Sequence, residues 1–187
     1  MTLEDIQEQV TNCEKCKLHE TVKQPVFGEG PEGANAMIVG EAPGAKEDQQ
    51  GKPFVGRSGN KLIEVLASVD IARDHVFITN IVKGRPPDNR NPHQDEIDSC
   101  FPYLEAQIAT INPKIIVTLG NVATQNILDT EAGITSIRGE IQEWRGIDVL
   151  PMYHPSYLLR KPSTKEGSPK WQTWQDVKKL RDIVEKF

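Results

Sequence analysis

The fold of this chain is decided by one stretch, Ala36-Met37-Ile38-Val39, which runs directly into Gly40-Glu41-Ala42-Pro43-Gly44. A short apolar run of this kind predicts a strand that is buried on both faces, and the Gly- and Pro-containing run after it predicts a tight turn at the strand's end. Strands buried on both faces occur in parallel sheets that are covered by helices on each side. Similar strands, alternating with helices, are therefore expected elsewhere in the chain.

The surrounding sequence has this alternation. Three more β-branched or apolar runs predict strands at residues 76–79, 115–119 and 148–151. Apolar residues spaced by three and four predict helices around residues 62–69, 97–111, 121–128 and 171–187. This order predicts an α/β fold, a three-layer α/β/α sandwich with a central, mainly parallel four-stranded sheet. No linker divides the chain, so residues 1–187 are expected to form a single domain.

Composition narrows the class of protein. Hydrophobic residues make up 37% and charged residues 26%, as in an ordinary globular protein, and no apolar run approaches the length of a membrane span. A monomer in the cytoplasm, without a membrane partner, is expected. The net charge of -5 does not by itself indicate a nucleic-acid binder, but residues 1–48 hold ten acidic and only four basic residues. The remainder can therefore form local basic patches, although an ordinary solvated surface explains such patches equally well.

Three cysteines, Cys13, Cys16 and Cys100, cannot form a paired disulfide framework, and the first two form a C-x-x-C motif. That spacing suits a metal or an iron–sulfur cluster. A redox pair and plain unligated thiols are equally open interpretations of an isolated C-x-x-C motif.

Several uncommon motifs then occur in a fixed order. Gly40-Glu41-Ala42-Pro43-Gly44 is followed by Gly51-Lys52-Pro53-Phe54-Val55-Gly56, then by Thr79-Asn80-Ile81-Val82-Lys83 and finally by Tyr153-His154-Pro155-Ser156. In this order and spacing the chain resembles the family 4 uracil-DNA glycosylases, from Cys13 to the C-terminal helix. The resemblance implies a DNA repair enzyme that flips uracil out of DNA and hydrolyses its N-glycosidic bond. The products would be free uracil and an abasic site.

Group chemistry assigns roles to three residues of these motifs. The amide of Asn80 offers a donor and an acceptor that match the O4 and N3–H of uracil and disfavour cytosine. The ring of Phe54 can stack on the flipped base. His154 can stabilise the negative charge that develops at uracil O2, with either a neutral or a charged ring.

Glu41 is the first candidate for activating the attacking water or stabilising a cationic sugar, and Glu47 and Asp48 are its rivals. The backbone N–H of Ala42 is a secondary candidate for a contact with uracil. DNA phosphates are expected to bind the basic residues, while Leu158 could fill the gap left by the flipped base, although core packing explains a leucine here equally well. The basic residues are Lys83, Arg85, Arg90, Arg160 and Lys161.

The resemblance also implies a 4Fe–4S cluster, held in this family by four cysteines. Cys13, Cys16 and Cys100 match three of these positions, but Gly84 stands at the fourth. A labile three-cysteine cluster, a substitute ligand such as His19 or water, and the absence of any cluster all remain open.

Two other functions fit parts of the sequence. A non-catalytic module of the same fold could bind uracil-containing or damaged DNA without cleaving it. The Gly- and Pro-rich first motif could instead cradle the phosphates of a free nucleotide, but it lacks the G-x-x-x-x-G-K-[ST] pattern that places a lysine there.

Overall fold

The computed structural model describes all 187 residues. Its helices are α1 (Leu3–Thr11), α2 (Ala45–Gln50), α3 (Arg57–Ala67), α4 (Gln94–Ile111), α5 (Gly120–Leu128), α6 (Ile134–Ile137), α7 (Pro155–Leu159) and α8 (Pro169–Val184). Its strands are β1 (Ala36–Gly40), β2 (Phe77–Asn80), β3 (Ile115–Leu119), β4 (Gln142–Trp144) and β5 (Ile147–Met152). Three short 3-10 turns, Lys17–Glu20, Arg73–His75 and Pro87–Asn89, lie in the connections.

The strands form one sheet in the order β2-β1-β3-β5-β4. The first four of these are mutually parallel, and β4 pairs antiparallel with β5. All four strands predicted from apolar runs are present, but the predicted strand count was one too low. The missed strand, β4, has only three residues and none is buried, so it lacks the apolar run by which the others were found.

Helices cover both faces of the sheet. Alternate residues of β1 point to opposite sides: Met37 and Val39 belong to a cluster of 20 buried residues that also includes residues of α1, α4 and α5. Ala36 and Ile38 belong to a second cluster of 16 buried residues, to which α3 and α8 contribute. The three-layer α/β/α sandwich predicted from the sequence is therefore confirmed. None of its helices combines the length and the apolar character that crossing a membrane requires.

Candidate active site

A cleft of about 670 Å³ opens at the carboxyl ends of the parallel strands. Gly40 ends β1 and pairs in register with Asn80 at the end of β2, while His154 follows the end of β5. Loops that follow parallel strands converge at this edge of an α/β sheet, which is where such folds bind ligands. The cleft thus brings together all five predicted catalytic and uracil-contacting residues, Glu41, Ala42, Phe54, Asn80 and His154.

Asn80 has an unpaired acceptor inside this cleft. Its side chain is buried, and its Oδ1 has no hydrogen-bond partner, the only buried side-chain nitrogen or oxygen atom in the chain without one. Buried polar atoms are almost always paired, because leaving one unpaired costs about 1–3 kcal/mol. An unpaired acceptor on a side chain that lines a cleft therefore points to a ligand that donates a hydrogen bond to it.

Gly40 makes room for the groups around it. A Cβ at this position would lie 2.6 Å from Asn80 Oδ1 and also 2.6 Å from Cζ of Phe54. Neither distance is compatible with van der Waals contact. The close approach of the Phe54 ring and the Asn80 amide therefore depends on glycine at the end of β1.

The ring of Phe54 lies beside that of His154, with centroids 5.9 Å apart and planes inclined at 33°. Phe54 adopts a left-handed backbone conformation, with φ of 49°, which is unusual for a residue other than glycine. It is buried between β1 and the start of α3, where Gly59 packs directly against its carbonyl group. The ring is thus fixed at one wall of the cleft.

His154 is held as a neutral ring. It caps the N-terminus of α7, and its Nδ1 accepts a hydrogen bond from the backbone N–H of Ser156 at 3.1 Å. Burial, assisted by the nearby charge of Arg160, lowers the pKa of His154 to about 4. Since Nδ1 acts as an acceptor, the proton of the neutral ring resides on Nε2. The sequence left the charge state of His154 open, and its burial together with the hydrogen bond accepted by Nδ1 favours the neutral form.

The three acidic residues of the first motif have different environments. Glu47 accepts hydrogen bonds from the backbone N–H groups of Gly44 at 3.0 Å and of Val55 and Gly56 at 2.8 Å. Asp48 is buried and accepts one from the N–H of Lys23 at 2.9 Å. These two carboxylates therefore brace loops.

Glu41 alone lines the cleft without such bonds. It is half-buried, and burial raises the pKa of its carboxyl group. A carboxylate with a raised pKa is a better proton acceptor than an ordinary one, so Glu41 has the properties of a general base.

Two of the predicted DNA contacts are wrong because the side chains are buried. The ammonium group of Lys83 donates hydrogen bonds inside the protein, to Thr79 Oγ1 at 2.6 Å, the Asn80 carbonyl at 2.9 Å and Gln107 Oε1 at 2.7 Å. Burial lowers the pKa of Lys83 to about 7. Leu158 is only 1% exposed and packs in a small core cluster, so it cannot act as a wedge.

Of the other four basic residues, Arg90 and Arg160 line the cleft, and Arg85 and Lys161 are not among its lining residues. Arg90 lines it, but its guanidinium is paired with the buried carboxylate of Glu96 through bonds of 2.8 and 3.0 Å. Arg85 donates to Asn89 Oδ1 at 2.8 Å. Arg160 and Lys161 are exposed, and each lies 5.9 Å from the centroid of the Tyr157 ring.

Residues that sequence reasoning missed also line the cleft, namely Arg57, Ser58, Asn89 and Asn91. Arg57 and Ser58 stand at the N-terminus of α3, directly after the Phe54 loop. The sequence signal that could have found Arg57 and Ser58 is Gly56, which stands just before a helical pattern. Glycine is tolerated at a helix start, and the first backbone N–H groups of a helix are open to a ligand.

The cysteine site is separate from this cleft. Cys13, Cys16 and Cys100 line a cavity of about 340 Å³ together with Gly84. Burial raises the pKa of both Cys16 and Cys100, and the N–H of Lys83 donates to Cys100 Sγ at 3.2 Å.

These residues do not fit a cluster held by four thiolates. A Cβ at position 84 would lie 3.2 Å from Val22 Cγ1 and 3.3 Å from Leu18 Cβ, so apolar side chains occupy the space beside Gly84. Nowhere in the chain do three His, Cys, Asp or Glu side chains converge in a way that could hold a single metal ion.

Comparisons with known proteins identify the family of this chain. Residues 27–178 match the family model of the uracil DNA glycosylase superfamily. A type-4 uracil-DNA glycosylase of Sulfurisphaera tokodaii is 44% identical, with 98% of this chain and 85% of that protein covered. One from Thermotoga maritima is 40% identical, with coverage of 98% and 95%. A type-5 uracil-DNA glycosylase of Pyrobaculum aerophilum is more distant, at 29% identity over 83% of each chain. The chain belongs to the uracil DNA glycosylase superfamily and, within it, to the type-4 uracil-DNA glycosylases.

Proposed function

We infer that this protein is a uracil-DNA glycosylase of DNA repair, which flips uracil out of DNA and hydrolyses its N-glycosidic bond. The observation that carries this function is the buried, unpaired Oδ1 of Asn80 in a cleft beside Phe54 and His154. Uracil supplies the missing hydrogen-bond donor for Asn80 Oδ1, since its N3–H lies at the edge of a flat ring.

Recognition rests on Asn80 and Phe54. Asn80 Oδ1 accepts the N3–H of uracil while its amide nitrogen donates to O4. Cytosine would present an acceptor to Oδ1 and a donor to the amide nitrogen, leaving both buried groups unpaired. Phe54 stacks on the base, which is worth about 1–3 kcal/mol and requires no particular substituent. The N–H of Ala42, which follows Glu41 in the same cleft, is available for a further contact with the base.

His154 supports the departing base. As the glycosidic bond breaks, negative charge develops on uracil O2 and positive charge on the sugar. The neutral ring presents its Nε2–H as the donor, because Nδ1 is occupied by the Ser156 N–H. A preorganised donor to a developing oxyanion typically contributes about 2.7–4 kcal/mol to catalysis.

Glu41 activates water for attack at the sugar. Its carboxylate is half-buried and free of the backbone hydrogen bonds that occupy Glu47. It therefore accepts the proton of the attacking water, and its negative charge also stabilises the cationic sugar.

DNA phosphates bind the exposed basic residues Arg160 and Lys161, and the partly exposed Arg85 is a further contact. Arg90 shapes the cleft wall through its pair with Glu96 and offers the phosphate backbone only its remaining N–H groups. These contacts would hold the strand without reading its sequence.

Release of free uracil from a uracil-containing oligonucleotide tests this function. The matched control is the same oligonucleotide with cytosine in place of uracil, which should release no base. Tight binding of the uracil oligonucleotide with no release of uracil would instead support a non-catalytic DNA-binding module.

We also propose that Cys13, Cys16 and Cys100 cannot complete a four-thiolate cluster, and that any iron–sulfur centre here would have one iron without a cysteine ligand. Support comes from Gly84 and the apolar side chains beside it. Iron and sulfide analysis with Mössbauer spectroscopy after anaerobic purification tests this, and a cluster whose iron atoms all have thiolate ligation would contradict it.

The whole chain is further proposed to act as one domain and as a monomer. The two large apolar clusters pack on opposite faces of a single sheet. Sedimentation of the active protein at assay concentrations tests the monomer.

A further inference from the structure

Arg73 lies outside the uracil cleft but is bonded to the loop that carries Phe54. It belongs to the 3-10 turn Arg73–His75, shortly before β2. Its guanidinium donates through Nη1 to the carbonyl of Phe54 at 2.6 Å and through Nη2 to the carbonyl of Pro53. The side chain of Arg73 is 27% exposed, and Nη2 also lies 3.5 Å from the carboxylate of Glu29.

Phe54 needs such support because its backbone is in an unfavourable conformation. A φ of 49° is disfavoured for a residue with a Cβ and persists only where surrounding contacts impose it. Glu47 holds the following N–H groups, those of Val55 and Gly56, and Arg73 holds the carbonyl groups of Pro53 and of Phe54 itself. Together the two residues fix the peptide groups on both sides of Phe54.

The geometry at the ring explains why this support matters. The Phe54 ring fills the space beside Gly40, close to the Asn80 amide and to the His154 ring. If the backbone of Phe54 relaxed to an ordinary conformation, the ring would leave this position. The uracil cleft would then lose its stacking surface, although Asn80 and His154 would be unchanged.

We propose that Arg73 is a positioning residue of the excision reaction, acting through Phe54: its planar, two-pronged guanidinium holds the left-handed Phe54 turn so that the ring meets the flipped base. This inference rests on the proposed function, because Phe54 is assigned to the base there. Lysine could not replace arginine fully, since a single ammonium group cannot reproduce the fork that holds two carbonyl groups.

A double-mutant cycle tests the proposal, with Arg73→Met, Phe54→Ala and the double variant. Arg73→Met keeps the aliphatic stem but removes the donors. It should lower single-turnover uracil release about tenfold and weaken inhibition by free uracil to a similar degree, within the roughly 5- to 150-fold range of a base–aromatic stack. In the Phe54→Ala background the same substitution should cost less than about twofold, because the ring through which Arg73 acts is already absent.

The controls separate this role from general stability. Glu29→Gln removes the ion pair of Arg73 but keeps its carbonyl bonds, so activity should stay within about twofold of wild type. Arg73→Lys should fall between wild type and Arg73→Met, and it completes the cycle if Arg73→Met does not fold. Equal losses from the Arg73 substitution with and without the Phe54 ring would overturn the proposal, as would wild-type rates for a folded Arg73→Met.

Uracil release by the wild-type protein tests the proposed function separately. If that release is absent, the same cycle measured as affinity for free uracil still decides whether Arg73 acts through Phe54.

Discussion

Substituting Gly40 by alanine is a direct test of the uracil cleft, because one added methyl group meets two proposed site residues. The new Cβ would lie 2.6 Å from both Asn80 Oδ1 and Phe54 Cζ. Ordinary contact begins at about 3.5 Å, so the amide and the ring must each retreat by roughly 1 Å. Displacements of this size near a reacting centre can cost about a hundredfold in rate, equivalent to about 2.7 kcal/mol of activation free energy.

The assay is single-turnover release of uracil from a single-stranded oligonucleotide, with thermal unfolding measured in parallel. Overpacking at a buried position should also destabilise the protein by about 1–3 kcal/mol, so the rate is compared at a temperature where the variant is folded. Gly33→Ala is the matched control, because a Cβ at Gly33 meets no atom within 4 Å. A folded Gly40→Ala variant with a wild-type rate would show that Asn80 and Phe54 do not form the uracil site.

Asn80→Ala and His154→Ala should each lower single-turnover cleavage by about a hundredfold or more, since each removes a preorganised hydrogen bond to the base; unchanged rates in both would mean that recognition lies elsewhere. The cleavage rate should fall as the pH drops through the raised pKa of Glu41, because only the deprotonated carboxylate accepts a proton from water. The Glu41→Gln variant should cleave slowly, and its rate should no longer show this fall with pH. His154 should add no second fall in the cleavage rate until the pH nears about 4, where its ring becomes charged. Gly84→Cys should raise the iron and sulfide content of anaerobically purified protein relative to wild type, after small shifts of the apolar neighbours. Unchanged iron content would show that the missing cysteine is not what limits cluster binding at this site.

The fold was largely predictable because its central strands are continuous apolar runs between helical patterns. The strand β4 escaped prediction for the opposite reason: it is short and unburied, and it is defined by its pairing with β5 across a turn at Arg145 and Gly146, both with positive φ. A hairpin of this type depends on backbone geometry more than on hydrophobic pattern.

The residues of the uracil cleft were predictable because they lie in short motifs whose side chains have recognisable chemistry. The wrong predictions, Lys83 and Leu158 as DNA contacts, have a common physical cause. Lys83 follows Asn80 by three positions in a motif with nearby arginines, so sequence alone indicates a basic patch. Burial depends on what packs over the strand end, here Gln107 from α4, and that contact spans 24 positions. Leu158 was predicted to contact DNA for the same reason: its burial depends on contacts with residues distant in sequence, such as Ile134. Arg73 was missed because its bonds to the Phe54 loop cross 19 and 20 positions and belong to no local pattern.

The acidic residues of the first motif show how the structure divides similar groups by environment. Glu47 accepts hydrogen bonds from backbone N–H groups with both carboxylate oxygens, so its carboxylate is engaged in bracing the loops rather than in holding a water molecule. Glu41 is half-buried and lacks such bonds. Burial raises its pKa, and its carboxylate oxygens remain free to accept a proton. Substituting Glu47 should therefore loosen the Phe54 loop and weaken uracil binding, whereas substituting Glu41 should slow the chemical step at saturating DNA. Because both lie in one short motif, loss of activity alone cannot separate them, and the distinction requires measuring binding and single-turnover rate independently.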